Sequence, residues 1–145
     1  MTLLVRRFIE ANDQTCSGCR ACEAICSLFH EAVVSTTLSR IEVMTWPFEG
    51  YRSEVYACQQ CRDPDCLKAC PTGALHVDTV TETAVISKEY CTGCKLCMEA
   101  CPNTHSRIRY DAKENVCFKC DLCGGAALCV KYCMEGALSL KKVSI

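Results

Sequence analysis

Polar and apolar residues alternate in several short stretches of this chain. Val5–Glu10, Arg40–Thr45, Glu54–Ala57 and Arg107–Asp111 each follow the two-residue period of a half-buried strand. Two further runs share one pattern, C-x-x-G-A-L-x-apolar: Cys70-Pro71-Thr72-Gly73-Ala74-Leu75-His76-Val77 and Cys133-Met134-Glu135-Gly136-Ala137-Leu138-Ser139-Leu140. Each ends in alternation that reads as a strand. The first is expected to pair with Thr83–Ser87 through a turn at Asp78–Glu82, forming a small hairpin. No stretch approaches the roughly 18 apolar residues of a membrane span. The Met1–Glu10 segment carries the twin arginine Arg6-Arg7, yet Glu10 and Asp13 follow where an export signal needs an apolar run, so no export signal is expected.

Composition changes the picture. Of 145 residues, 17 are Cys, a share that only bound metal or cross-links explain. The hydrophobic half of the chain counts those sulfurs, and one Trp, four Phe and five Tyr leave a thin organic core. Disulfides want an oxidising compartment and an even count, and the count is odd. The net charge of −1, mixed in sign, gives no field for nucleic acid. A cytoplasmic metalloprotein without a membrane span is the expectation.

The sulfurs fall in four groups. Cys16, Cys19, Cys22, Cys26 and Cys91, Cys94, Cys97, Cys101 both read C-x2-C-x2-C-x3-C, while Cys58, Cys61, Cys66, Cys70 reads C-x2-C-x4-C-x3-C. This is the bacterial ferredoxin run. Three cysteines on an irregular loop grip one corner of an iron–sulfur cube while loop N–H groups point at sulfide. The fourth comes as the chain leaves, so in two-cluster ferredoxins it reaches the partner cluster. Pro71 and Pro102 hold the preceding Cys out of the helical region, and Gly18 and Gly93 free the backbone inside C-x-G-C. Met134 stands where a Pro is usual, which is expected to loosen that end. The last group has five sulfurs. Either Cys120, Cys123, Cys129 and Cys133 form the motif, with Gly124-Gly125 accommodating the longer loop and Cys117 surplus, or Cys117 and Cys120 open it and Cys123 is free.

With Cys26-Ser27, Ser39-Arg40-Ile41, Cys58-Gln59-Gln60-Cys61 and Lys119-Cys120-Asp121-Leu122-Cys123-Gly124, the chain resembles the four-cluster polyferredoxin electron-transfer subunits over nearly its whole length. Such subunits accompany tungsten or molybdenum oxidoreductases, including aldehyde oxidoreductases and benzoyl-coenzyme A reductase complexes, and also carbon monoxide dehydrogenases and hydrogenases. The resemblance implies a ferredoxin-like α+β fold of two pseudo-symmetric two-cluster modules, residues 54–105 nested inside 1–53 plus 106–145. It implies four 4Fe-4S clusters: one on Cys58, Cys61, Cys66 with Cys101; one on Cys91, Cys94, Cys97 with Cys70; one on Cys16, Cys19, Cys22 with Cys133; one on Cys120, Cys123, Cys129 with Cys26. It implies a non-catalytic relay serving a catalytic oxidoreductase subunit, most simply a tungsten or molybdenum aldehyde-oxidoreductase-type enzyme, with a further electron donor or acceptor such as a ferredoxin. A carbon monoxide dehydrogenase or hydrogenase subunit, or a free polyferredoxin, is the alternative.

Size suits a wire. A compact chain of this length has a radius of gyration of about 15 Å, which strings four clusters on the order of 10 Å apart. Each oxidised cluster with four thiolates carries −2, so partners are expected to bring basic patches. Lys95 and Lys119, beside the motifs, are placed to raise cluster potentials. A zinc-stapled interaction module is the rival of another class, although zinc pairs are usually spaced farther apart. His30, His76 and His105 lack mutual spacing and read as packing or surface residues. Arg6, Arg7, Arg107 and Arg109 read as solvated charges. Trp46-Pro47-Phe48-Glu49-Gly50-Tyr51 reads either as a docking surface or as a cover over the first and fourth motifs. No phosphate loop or HExxH motif appears.

Overall fold

The computed structural model describes residues 5–144. The start of the Met1–Glu10 stretch, on which the export reading rests, lies outside the described residues. The strands are β1 (Val5–Ala11), β2 (Glu42–Trp46), β3 (Arg52–Tyr56), β4 (Leu75–Asp78), β5 (Thr83–Ile86), β6 (Arg109–Asp111), β7 (Val116–Phe118) and β8 (Leu138–Ser144); the helices are α1 (Ala21–Glu31), α2 (Asp65–Ala69), α3 (Leu96–Ala100) and α4 (Leu128–Tyr132). Among the described residues the strands pair only in twos, all antiparallel: β1 with β8, β2 with β3, β4 with β5 and β6 with β7. This is a small mixed ferredoxin-type fold of short strands and short helices.

Isolated two-stranded ribbons are marginal in water, so each depends on what its inner face covers. Ile9 of β1, Val43 of β2, Val55 of β3 and Leu138 of β8 pack together with Cys22, Cys26 and Cys129. Leu75 of β4 and Ala84 of β5 pack with Ile108, Cys97 and Cys117. Cysteine thus supplies three of the eleven buried residues of the first core and two of the five of the second. Burying each aliphatic side chain contributes roughly 1.5–3 kcal/mol, and too few are present to hold the chain by themselves.

The hairpin expected from Leu75 onward forms, with Leu75 opposite Ile86 and Asp78 opposite Thr83. Asp78 closes its turn by accepting from the Val80 N–H at 2.7 Å. Strand β7, unforeseen in the alternation pattern, is only three residues long. It is set by the turn after Asp111, whose carboxylate accepts from the Lys113 N–H at 3.0 Å. The pairing of β1 with β8, Ile9 opposite Leu140, brings the two ends of the described chain together.

Proline fixes where two helices stop. Cys70 and Cys101, each followed by Pro, take φ/ψ of −74/114° and −61/123°. Cys26 has no Pro behind it, and α1 runs on to Glu31 before Ala32 caps it in the left-handed region. The loosening expected at Met134 does not occur. Cys133 is as extended as its counterparts, at −77/102°, because a turn with the Gly136 N–H donating to the Cys133 carbonyl at 3.2 Å replaces the proline.

Trp46–Tyr51 forms the tip of the β2–β3 hairpin. Phe48 is fully exposed and Tyr51 is 79% exposed, so neither ring covers a cysteine motif. Arg52 stacks on Trp46 at 4.4 Å. Arg109 is not a solvated charge: its guanidinium donates to the carbonyls of Thr36 and Ser39 at 2.7 and 2.8 Å, tying the loop after α1 to β6.

Candidate metal centres

The x3 spacing that ends every motif becomes a helix property. Cys22 and Cys26 both lie on α1, four residues apart, which is one turn and about 6 Å of rise on the same face. Cys66, Cys97 and Cys129 lie on α2, α3 and α4, with Cys70, Cys101 and Cys133 at the cap that follows each helix. Two sulfurs one turn apart face two successive spaces. Helix α1 packs on α4 and α2 packs on α3, so each helix pair divides two such spaces between its members.

Four hollows result, each enclosing 300 to 370 Å³ of free space with its mouth included. The first is lined by Cys16, Cys19, Cys22 and Cys133. The second has Cys58, Cys61, Cys66 and Cys101. The third has Cys91, Cys94, Cys97 and Cys70, with Cys117 as a fifth sulfur. The fourth has Cys120, Cys123, Cys129 and Cys26. Cys117, on β7, is 2% exposed and donates its backbone N–H to the Cys91 sulfur at 3.3 Å. Cys123 lies instead in the fourth hollow. None of the cysteines is in a disulfide.

The loops turn their N–H groups inward. Gln60 donates to the Cys58 sulfur and Leu122 to the Cys120 sulfur, both at 3.4 Å and both two residues on. The shared geometry makes Cys120 the counterpart of Cys58. Both donors sit at positive φ, 44° and 58°, the conformation that lets successive N–H groups converge on an anion. Arg40 N–H donates to the Cys26 sulfur at 3.2 Å and Leu75 N–H to Cys70 at 3.4 Å.

These surroundings sort the thiols. Burial pushes Cys22, Cys97 and Cys129 up to about 12 and Cys66 up to about 11. At Cys26, Cys70 and Cys101 burial pushes the same way, but the converging donors win and hold them below the usual thiol range. Cys26, Cys70 and Cys101, each the last cysteine of its motif, are therefore disposed to be thiolates.

Each hollow also has a cation in its wall: Arg20 at the first, Arg107 and Lys119 at the second, Lys95 at the third, Arg40 at the fourth. Four soft donors, aliphatic walls, inward N–H groups and a nearby cation fit an anionic iron–sulfur group. The expectation of solvated arginines also fails at Arg107, which lies over the Tyr56 ring at 4.5 Å and lines the second hollow.

Several residues were not legible as part of this arrangement. His30 is held between the Cys26 carbonyl and the Asp121 carboxylate, at 2.8 Å each. Burial works against its charge, but the bonds to Asp121 and Cys26 raise it to about 9. Asp121 also accepts from the Cys123 N–H at 2.9 Å, fixing the loop of the fourth motif. Gln60, 1% exposed, donates to the Cys120 carbonyl at 2.8 Å and accepts from the Ala84 N–H at 3.0 Å. No local pattern marks such cross-chain partners. His105 pairs with Glu42 at 2.7 Å, and His76 bonds the Ala74 carbonyl. Among the described residues no helix is long and apolar enough to cross a membrane.

Comparison with known proteins agrees with the donor chemistry. The chain is 41% identical over 138 residues to the polyferredoxin-like subunit of the aliphatic sulfonate oxidoreductase of Pyrococcus furiosus, covering 95% of this chain and 78% of that one. It is 29% identical over 150 residues to a component of the anaerobic dimethyl sulfoxide reductase of Haemophilus influenzae, covering 91% and 72%. Its fold is similar to a polypeptide of the active-site complex BamBC of benzoyl coenzyme A reductase, with a TM-score of 0.58 and 26% identity over 97% of this chain and 82% of that one. The profile of the 4Fe-4S dicluster domain matches residues 51–143. The chain belongs to the 4Fe-4S dicluster domain family and binds more than one 4Fe-4S cluster.

Proposed function

We propose that this protein relays single electrons through four 4Fe-4S clusters to or from a catalytic oxidoreductase subunit and does no bond-making chemistry itself. The observation that carries the reading is the repetition of one arrangement, four thiols around one hollow, in four places along one chain. The proposed ligands are Cys16, Cys19, Cys22 and Cys133; Cys58, Cys61, Cys66 and Cys101; Cys91, Cys94, Cys97 and Cys70; and Cys120, Cys123, Cys129 and Cys26. When bound, a cluster supplies a one-electron couple whose potential follows its charge surroundings and N–H bonds. The residues of the chain space the stations, exclude water between them and bias each.

Packing supports an order. The first and fourth hollows share α1 and α4, and the second and third share α2 and α3. Gln60 joins the second to the fourth through its bonds to the Cys58 sulfur and the Cys120 carbonyl. Electrons then run first, fourth, second, third, or the reverse. The exposed cysteines are Cys19 and Cys94, one at each end of that sequence, and they are the proposed points of entry and exit. We group residues 1–53 plus 106–145 and residues 54–105 as two two-cluster modules. Packing at the seams is shared: Val55 and Ala57 face the outer core, and Ile108 and Cys117 the inner one.

The partner is a catalytic oxidoreductase subunit, with the tungsten or molybdenum aldehyde-oxidoreductase type as the specific reading. Similarity to subunits of a sulfonate oxidoreductase and of the benzoyl coenzyme A reductase complex supports the class. Seventeen unpaired thiols suit the reducing cytoplasm, and the exposed Phe48 and Tyr51 suit a docking edge. Anaerobic affinity purification from the native host tests the function. A large tungsten- or molybdenum-containing subunit that reduces the bound chain when given its substrate is the expected result; a chain that purifies alone and stays oxidised contradicts it.

A further inference from the structure

The walls of the four hollows are not electrostatically equal. Arg20 at the first hollow is paired with Glu23 at 3.2 Å. At the fourth, Arg40 is paired with Glu31 at 3.0 Å and His30 with Asp121 at 2.8 Å. Lys95 at the third is exposed to solvent, over the Tyr110 ring at 4.1 Å. The second hollow differs. Lys119, 4% exposed, lines it, and its ammonium bonds only to the carbonyls of Ala84 and Cys120. Arg107 lines the same hollow with a buried Nε that has no acceptor. Among the described residues, neither Lys119 nor Arg107 has a carboxylate within salt-bridge distance.

A buried cation with no counter-ion is costly, and folded chains compensate it with a nearby anion. The one carboxylate in the wall of this hollow, Asp65, is exposed and turned to Lys68 at 3.5 Å, so the anions left to balance Lys119 are the thiolates and the cluster they hold. We propose that Lys119, seconded by Arg107, is the counter-ion of the cluster on Cys58, Cys61, Cys66 and Cys101 and makes it the station of highest reduction potential in the relay. The inference rests on the four-cluster reading.

The physical reason is direct. Reduction adds one negative charge, and a fixed positive charge in a low-dielectric wall favours the more negative state. Exposed or carboxylate-paired cations act weakly, because water, salt or their own partner cancels them. Each transfer oxidises one station by one electron and reduces its neighbour by one, with no bond made and no proton required. Since Gln60 links this station to the fourth, the electron rests in the middle of the chain, away from exposed Cys19 and Cys94.

The test is a redox titration of the anaerobically isolated holoprotein, followed by electron paramagnetic resonance and visible bleaching, on wild type, Lys119→Met, Lys119→Arg and Lys95→Met. In wild type the highest midpoint is expected to be insensitive to salt up to about 1 M. In Lys119→Met that one midpoint falls, with about a tenfold smaller equilibrium constant for its reduction, or about 59 mV for one electron. Lys119→Arg restores most of it, and Lys95→Met leaves it in place. Fully loaded Lys119→Met with every midpoint unchanged, or with all shifted together, overturns the proposal. If Lys119→Met loses iron, the wild-type salt series decides alone: a highest midpoint that moves with salt as the others do overturns it. Wild-type protein without iron and sulfide would sink the relay reading itself, which is a separate outcome.

Discussion

Gln60 reaches across the chain to Cys120, its Nε2 donating to the backbone carbonyl at 2.8 Å from sixty residues away. Its other amide atom accepts from the Ala84 N–H and its own N–H donates to the Cys58 sulfur. One buried side chain thereby fastens the second motif, the β4–β5 hairpin and the fourth motif to each other. Replacing it with Leu keeps the volume, leaves the buried Ala84 N–H without its acceptor at a cost of roughly 1–3 kcal/mol, and leaves the Cys120 carbonyl with the Lys119 ammonium as its side-chain donor. Gln60→Leu is expected to lower the thermal midpoint of the holoprotein and to slow electron passage between the two helix pairs. A wild-type midpoint measured by calorimetry under anaerobic conditions would contradict this role.

Two glycines in turns respond differently. A Cβ on Gly93, at φ +73°, would stand 2.4 to 2.5 Å from the Asn115 side chain and carbonyl, whereas one on Gly73, at φ +71°, meets nothing within 4 Å. Both substitutions carry backbone strain, but only Gly93→Ala must also move the β6–β7 turn away from Cys94. Gly93→Ala is expected to lose the third cluster, taking iron from about sixteen to about twelve per chain, while Gly73→Ala keeps it. Equal iron in the two variants would count against the crowding.

The odd sulfur gives a ligand test. Cys117 is buried on β7 beside a hollow that already has four sulfurs, and Cys123 completes the fourth hollow. Cys117→Ser is expected to retain full iron with a small loss of stability, and Cys123→Ser to lose or convert one cluster. Iron analysis and electron paramagnetic resonance of both variants check this. The opposite pattern would make Cys117 a ligand and Cys123 the bystander.

The thiols also set a pH dependence. A group raised on folding favours the metal-free fold below its unfolded value, here about 9, and that contribution disappears as pH rises through about 12 for Cys22, Cys97 and Cys129. Loading iron must expel these protons. Reconstitution with iron and sulfide is therefore expected to improve from pH 7 toward pH 9 and to release protons into a weak buffer. Loading that improves on acidification would contradict the sign.

Much of the site was legible because cysteine spacing is a local property. C-x2-C-x2-C-x3-C speaks for itself, while the helix behind each x3 step emerges from the structure. The hairpin from Leu75 was readable for the same reason, a strand pattern beside turn residues. What the sequence hid were distant partners. Nothing near Asp121 announces His30, nothing near Arg109 announces the Thr36 carbonyl, and β7 is too short to show a period. The proline rule held at Cys70 and Cys101 but misled at Cys133, where Glu135-Gly136 turns the chain by another route. The solvated-arginine rule failed at Arg107 because its guanidinium sits over the Tyr56 ring at 4.5 Å, a contact set by tertiary packing.

Bound iron–sulfur groups at the four repeated hollows underlie the proposed relay. Iron and acid-labile sulfide, determined together on anaerobically isolated protein of known concentration, test it most directly. The expected result is about sixteen of each per chain with a broad absorption near roughly 400 nm. A colourless protein containing zinc and no labile sulfide would contradict it.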